Sequence, residues 1–136
     1  MNRSLFSSMS VDWPTPKEFY KKLNEEFRFN DDPCPLHGKG GLDRSWGKRT
    51  YVNPPYGRGV GLWIRKGLFE STFEKTIVFL LPARTDTIWF HKYILPFARE
   101  IRFIKGRLKF GEHKNSAPFP SMIVVFQNTS PYSLIG

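Results

Sequence analysis

Thr76-Ile77-Val78-Phe79-Leu80-Leu81 runs straight into Pro82-Ala83-Arg84-Thr85-Asp86. A short, continuous apolar stretch is what a strand covered on both faces requires, because neither side of its pleat meets water. It predicts a strand of a parallel sheet with helices packed on both faces. The polar residues after it stand where open α/β sheets gather ligands, at the carboxyl end of a strand. Thr85 or Asp86 can cap the helix that follows, which carries Trp89, Phe90, Tyr93 and Ile94. Arg84 has two readings, a phosphate or substrate contact and an ion pair with Asp86. His91, in an aromatic-rich helical segment, reads as a structural or surface histidine.

Upstream, the same passage from strand to loop recurs at Tyr51-Val52-Asn53-Pro54-Pro55-Tyr56-Gly57. Pro54 and Pro55 restrict φ, remove two backbone donors and disfavour helix at the residues before them. The stretch reads as a strand ending at Val52, then a stiff loop that presents the Asn53 amide and the Tyr56 ring. The Asn53 side-chain oxygen and the Pro54 carbonyl can accept hydrogens from an exocyclic amine, and a base drawn out of a duplex can stack on Tyr56. A proline-rich turn whose tyrosine covers the core is the competing reading. A second helix follows, with Trp63, Ile64, Gly67 and Leu68 inward and Arg65 and Lys66 mostly outward.

Nearer the amino terminus, Asp12-Trp13-Pro14-Thr15-Pro16 leads into a helix over about 16–26, with Thr15 as cap and Pro16 in its first turn. Trp13 is either a hydrophobic cover for this helix or one wall of a ligand pocket. Phe27 to Asn30 reads as a short strand ending at Asp31-Asp32-Pro33-Cys34-Pro35. Asp32 is the better functional carboxylate of the two, since Pro33 stiffens the position beside it, although paired Asp residues before proline are also ordinary turn material. His37 to Asp43 is a glycine-rich loop without the spacing or the Lys-Ser/Thr pair of a phosphate-binding loop.

Downstream, Glu100 to Ile104 predicts a strand. Lys105-Gly106-Arg107-Leu108-Lys109-Phe110 predicts a turn into an additional one, its basic face formed by Arg107 and Lys109. His113 to Pro118 reads as a loop. Ser121 to Gln127 is the last strong strand, with Met122, Val124 and Phe126 on one face and Ile123 and Val125 on the other.

Composition bounds the rest. The 136 residues make one main domain over 12–127, with a lead-in over 1–11 and a tail over 128–136. Lys plus Arg number 21 against 12 Asp plus Glu, a net charge of +9, which favours a polyanionic partner, nucleic acid before an anionic membrane. Cys34 is the only cysteine, so no internal disulfide forms and the disulfide-stapled class is excluded. With three histidines and one cysteine, no metal site is expected. No stretch has the length of a signal core or a bilayer span, so a cytoplasmic location is expected.

Asn53-Pro54-Pro55-Tyr56 resembles the catalytic motif of amino methyltransferases acting on adenine or cytosine. Together with Trp13-Pro14-Thr15-Pro16, Asp32-Pro33-Cys34, Leu81-Pro82-Ala83-Arg84-Thr85-Asp86 and Gly106-Arg107-Leu108-Lys109-Phe110, the order of blocks is similar to phage-type DNA N6-adenine methyltransferases, from about Asp12 through Gln127. The resemblance implies a compact, reduced Rossmann-like α/β sheet flanked by helices, in a phage or prophage protein of a bacterial host. It implies methyl transfer from S-adenosyl-L-methionine to the N6 amine of adenine in double-stranded DNA. On that pattern Asn53, Pro54, Pro55 and Tyr56 are catalytic. Trp13, Thr15, Asp32, Pro33 and Cys34 line the cofactor site, Asp32 beside the methionine amino group or the ribose. Arg84, Asp86, Arg107 and Lys109 meet the nucleic acid. The chain departs from the larger methyltransferase pattern in having Asp32-Pro33-Cys34-Pro35 where a Phe-x-Gly-x-Gly loop is usual.

Two other readings stand beside this one: a non-catalytic DNA-binding protein with a methyltransferase-like body, and an amino methyltransferase acting on RNA. A monomer and a homodimer are equally compatible with the sequence.

Overall fold

Buried on both faces, the apolar run becomes β2 (Thr76–Pro82), six of whose seven residues are fully inside. β2 lies between β1 (Arg49–Val52) and β4 (Ser121–Gln127), and β3 (Glu100–Phe103) completes a four-stranded sheet in the order β1-β2-β4-β3. The structure, a computed structural model, describes residues 13–35, 40–109 and 117–134. The lead-in over 1–11, residues 36–39 of the glycine loop and residues 110–116 lie outside the described residues.

The expectation of a parallel sheet is corrected. Only the neighbours β1 and β2 pair in parallel, with Thr50 opposite Ile77 and Val52 opposite Phe79. β4 is antiparallel to both β2 and β3, with Pro82 opposite Ser121 and Phe103 opposite Met122. A continuous apolar run records burial on both faces, which a central mixed-sheet strand shares with a parallel one. The alternation along β4 sorts as the sequence indicated: Met122, Val124 and Phe126 enter one core, Ile123 and Val125 the other.

The first core lies beneath α2 (Val60–Glu70) and α3, a helix over 88–97 that is π-wound through Phe90–Ile94 and α-helical at Leu95–Phe97. Val60, Ile64 and Leu68 of α2 meet Ile77, Phe79 and Leu81 of β2 there. Gly67 lets the helix close on the strand, since a Cβ at that position would stand 2.3 Å from the Phe79 ring. Glu70 ends α2 almost wholly buried, yet it accepts from the Trp46 N–H (2.8 Å), Lys75 (2.7 Å) and Lys66 (3.1 Å). Burial pushes its pKa up, and these three donors outweigh that and hold it below the ordinary value.

The second core lies beneath α1 (Lys17–Phe27), where Leu23, Phe19, Tyr20 and Phe27 cover Tyr51, Val78 and Leu80. The sequence-predicted strand over 27–30 is not formed. α1 runs through Phe27 and ends on Arg28 at φ 55°, and the chain then makes one isolated bridge, Asp31 to Thr50. Pro33 has no N–H with which to continue that pairing. Thr15 does not cap α1 either, because its hydroxyl is engaged elsewhere. Residues 105–109 form no strand: the Ala117 N–H donates to the Leu108 carbonyl and Arg107 donates to the Ala117 carbonyl, drawing the segment into a bend. No described helix is long and apolar enough to cross a membrane.

Candidate active site

β1 sets the site through strand alternation. Tyr51 and Asn53, two residues apart, leave the strand on the same side, toward α1 and the chain that leads into it. Pro54 and Pro55 then prevent the ladder from continuing. Gly57, at φ 133°, supplies a left-handed backbone beyond them that a side chain would oppose.

The Asn53 Nδ2 donates to the Trp13 carbonyl and to Thr15 Oγ1, the latter at 3.1 Å. Thr15 Oγ1 lies in turn 2.6 Å from the Tyr51 hydroxyl. A carbonyl oxygen only accepts, so the nitrogen of the amide must face Trp13, and Oδ1 must face away. Oδ1 is buried and has no hydrogen-bond partner among the described residues. An orphaned buried acceptor costs about 1–3 kcal/mol, which a ligand N–H at that position recovers.

A cavity of about 400 Å³ opens beside this amide. Trp13, Thr15 and Lys17 line it from the chain around the start of α1, with Tyr20 one turn further along. Asp32 and Cys34 close it from the turn after the bridge, and Tyr51, Asn53 and Pro54 form the sheet side. It offers aromatic walls for a flat heterocycle, one carboxylate and one ammonium, with Asn53 on its wall and the amide oxygen buried behind that surface.

The two adjacent carboxylates have separate fates. Asp31 takes a two-pronged ion pair from Arg44 at 2.7 and 2.8 Å and the Gly47 N–H at 2.8 Å, and the Arg44 hydrogen bonds hold its pKa below the ordinary value. Asp32 accepts the Cys34 N–H at 3.2 Å and keeps an exposed edge on the cavity. Partial burial, and then the charge of Asp31, push the Asp32 carboxyl up. Burial also raises the phenols of Tyr51 and Tyr20, with the Asp32 charge adding to each.

Of the sequence-predicted site residues, Trp13, Thr15, Asp32, Cys34, Asn53 and Pro54 therefore meet around one cavity. Pro33 is buried behind it, its carbonyl 2.0 Å from where a Gly41 side chain would stand. Pro55 is half-buried in the loop. Tyr56 is 7% exposed: its hydroxyl donates to the Leu80 carbonyl at 3.3 Å and its ring meets the edge of Phe119 at 5.4 Å. Arg84, Asp86, Arg107 and Lys109 are exposed and lie outside the cavity. They follow the ends of β2 and β3, on the sheet edge that carries Asn53. Lys17, Tyr20 and Tyr51 were not singled out from sequence. For Tyr51 a signal existed, since a tyrosine two residues before a candidate amide on a strand must share its face.

Residues 4–136 match the family described as DNA N-6-adenine-methyltransferase (Dam). The DNA N-6-adenine-methyltransferase of Haemophilus phage HP1 (strain HP1c1) is 26% identical over 140 residues, covering 88% of this chain and 80% of that protein.

Proposed function

This chain belongs to the DNA N-6-adenine-methyltransferase (Dam) family, and we propose that it transfers a methyl group from S-adenosyl-L-methionine to the N6 amine of adenine in double-stranded DNA. The observation that carries the proposal is the Asn53 amide, held with its nitrogen toward Trp13 and Thr15 and its buried oxygen without a donor among the described residues. An amino group is the ligand class that such an acceptor selects.

The cavity suits the cofactor in size and in donor set. Trp13 and Tyr20 provide rings for its adenine, Asp32 an acceptor for ribose hydroxyls or the methionine ammonium, and Lys17 a charge for the methionine carboxylate. When bound, S-adenosylmethionine supplies an electrophilic methyl on a sulfonium, so transfer is chiefly a matter of orientation. Asn53 Oδ1 and the Pro54 carbonyl accept the two N6 hydrogens and turn them out of the ring plane. The nitrogen lone pair, otherwise delocalised into the purine, would thereby be freed to take the methyl as its bond to sulfur breaks, the donor leaving as a neutral thioether and the surplus N6 proton passing to water. Pro55 stiffens the loop. Tyr56 stacks on the flipped base once the Phe119 edge covering it moves aside.

Double-stranded DNA is the partner favoured by the family, and the charge distribution suits a polyanion. Arg58, Arg84, Lys105, Arg107 and Lys109 are exposed on segments that leave the sheet at the edge bearing Asn53. Neutralising phosphates with such a rim is the usual source of sequence-independent affinity. The working location is then the cytoplasm of the bacterial host, as a monomer or homodimer.

The test supplies methyl-labelled S-adenosylmethionine with duplex DNA, RNA and protein acceptors in parallel, followed by nucleoside analysis. N6-methyladenine in DNA is the expected product. Its absence across diverse DNA, with cofactor binding demonstrated by calorimetry, sinks the assignment, and label in the RNA arm alone transfers it to RNA. The buried Tyr56 favours one second reading, a DNA-binding protein without catalysis. That reading requires DNA binding with no label incorporated.

A further inference from the structure

We infer that Thr15, braced by Tyr51, is a positioning residue that fixes the orientation of the Asn53 amide, making Oδ1 the group presented to a substrate amine. Thr15 belongs to the chain leading into α1, and Asn53 lies 38 residues later at the end of β1. Their contact is one of two that consume the Asn53 Nδ2 hydrogens, the other being the Trp13 carbonyl.

A lone bond to Trp13 leaves the amide free to swing about it, and only the second acceptor defines the plane of the group. Thr15 Oγ1 is itself held, 2.6 Å from the Tyr51 hydroxyl, and Tyr51 is 2% exposed with its ring edge-on to Tyr20 at 5.1 Å. Whichever hydroxyl donates, Thr15 Oγ1 sits between two partners and has little freedom to follow the amide. Burial keeps the Tyr51 phenol protonated, so the brace persists through the neutral range. Tyr51 and Asn53 share a strand face, so the strand that carries the amide also carries the group that steadies its holder.

A consequence is specificity for an amine. With the nitrogen pinned, the site offers an acceptor and no donor from Asn53, which excludes a ring carbonyl at that position. Were Thr15 absent, the amide could tilt and present part of its N–H to the cavity. Discrimination against a keto group would then weaken along with the geometry for transfer.

The catalytic half of this inference rests on the methyltransferase reading, whereas its structural half does not. Two readouts are therefore taken on wild type, Thr15→Val, Thr15→Ser and Tyr51→Phe. The first is the side-chain amide resonance pair of Asn53 in the free protein, assigned by its loss in Asn53→Ala. Slow solvent exchange of both hydrogens is expected in wild type, with one exchanging at least about 5-fold faster in Thr15→Val as its hydrogen bond is lost. The second is steady-state methyl transfer. Thr15→Val should lower kcat by about 10²-fold through misplacement of the amide. The KM for S-adenosylmethionine should change less than about fivefold, the worth of one hydrogen bond. Thr15→Ser restores the hydroxyl and should recover most of the kcat, and Tyr51→Phe should fall between. Unchanged amide exchange in Thr15→Val overturns the inference, as does an equal loss of kcat in the Val and Ser variants. If wild type makes no N6-methyladenine while the amide signature still collapses in Thr15→Val, the positioning role stands and the activity reading falls.

Discussion

At the scale of single residues, the site separates pairs of like groups by their surroundings. Asn53 has both of its nitrogen hydrogens occupied and its oxygen without a partner among the described residues. Asn53→Ala should therefore reduce transfer by at least about 10²-fold, the cost of losing a preorganised polar group. Cofactor affinity by calorimetry and the circular dichroism spectrum should be retained, and an unfolded variant would assign Asn53 a structural role instead. Asp31 and Asp32 differ in sign. Hydrogen bonds from Arg44 lower Asp31, so its stabilising effect is present above the ordinary carboxylate value and disappears as pH falls through the folded value. Burial raises Asp32, so its contribution is favourable only below the ordinary value and is lost as pH rises through the folded one. At neutral pH Asp32→Asn should raise the thermal midpoint of the free protein while weakening S-adenosylmethionine binding, and Asp31→Asn should lower the midpoint. A fall in midpoint for Asp32→Asn would show that its carboxylate is a structural group.

At the scale of elements, the close approach of α2 to β2 depends on Gly67. Its missing Cβ would lie 2.3 and 2.4 Å from two Phe79 ring atoms and 3.2 Å from Ile77 Cγ2. Gly67→Ala should destabilise the protein by about 1–3 kcal/mol in urea unfolding, the usual range for overpacking. Phe79→Leu in the same chain should recover part of the loss, since the two changes act on one contact. Additivity of the two would mean that helix and strand can shift apart at little cost. The elements themselves were largely legible in the sequence. The Ser121–Gln127 strand and the division of its side chains between two cores follow from a period of two. The segment after α1 was not legible. Phe27, Phe29 and Asp31 alternate as a strand would, yet pairing begins only at Asp31 and stops at Pro33.

At the scale of the molecule, the net charge of +9 becomes functional through where its cations emerge. The salt bridges consume Arg44, Lys66, Lys75 and Arg102 away from the rim, whereas Arg58, Arg84 and Arg107 project near the sheet edge that bears Asn53. DNA affinity should fall linearly on a log–log plot against salt, with a slope of about −0.9 per phosphate contacted. Arg84→Ala should weaken binding to all sequences alike and reduce that slope by about one. An unchanged slope, measured by anisotropy over a salt series, would remove Arg84 from the DNA surface.

By itself the sequence determined where β2 and β4 lie, that both are buried, and that Asn53 stands at the end of a strand before a stiff loop. Those properties follow from local periodicity and from proline, and both act over a few residues. Three matters were decided only by the tertiary structure: the antiparallel course of β4, the burial of Tyr56 against Phe119, and the hold of Trp13 and Thr15 on Asn53. An apolar pattern is the same read in either direction, so it carries no strand polarity. A hydrogen bond across 38 residues exists only once the lead-in to α1 has been laid over β1 in a particular register.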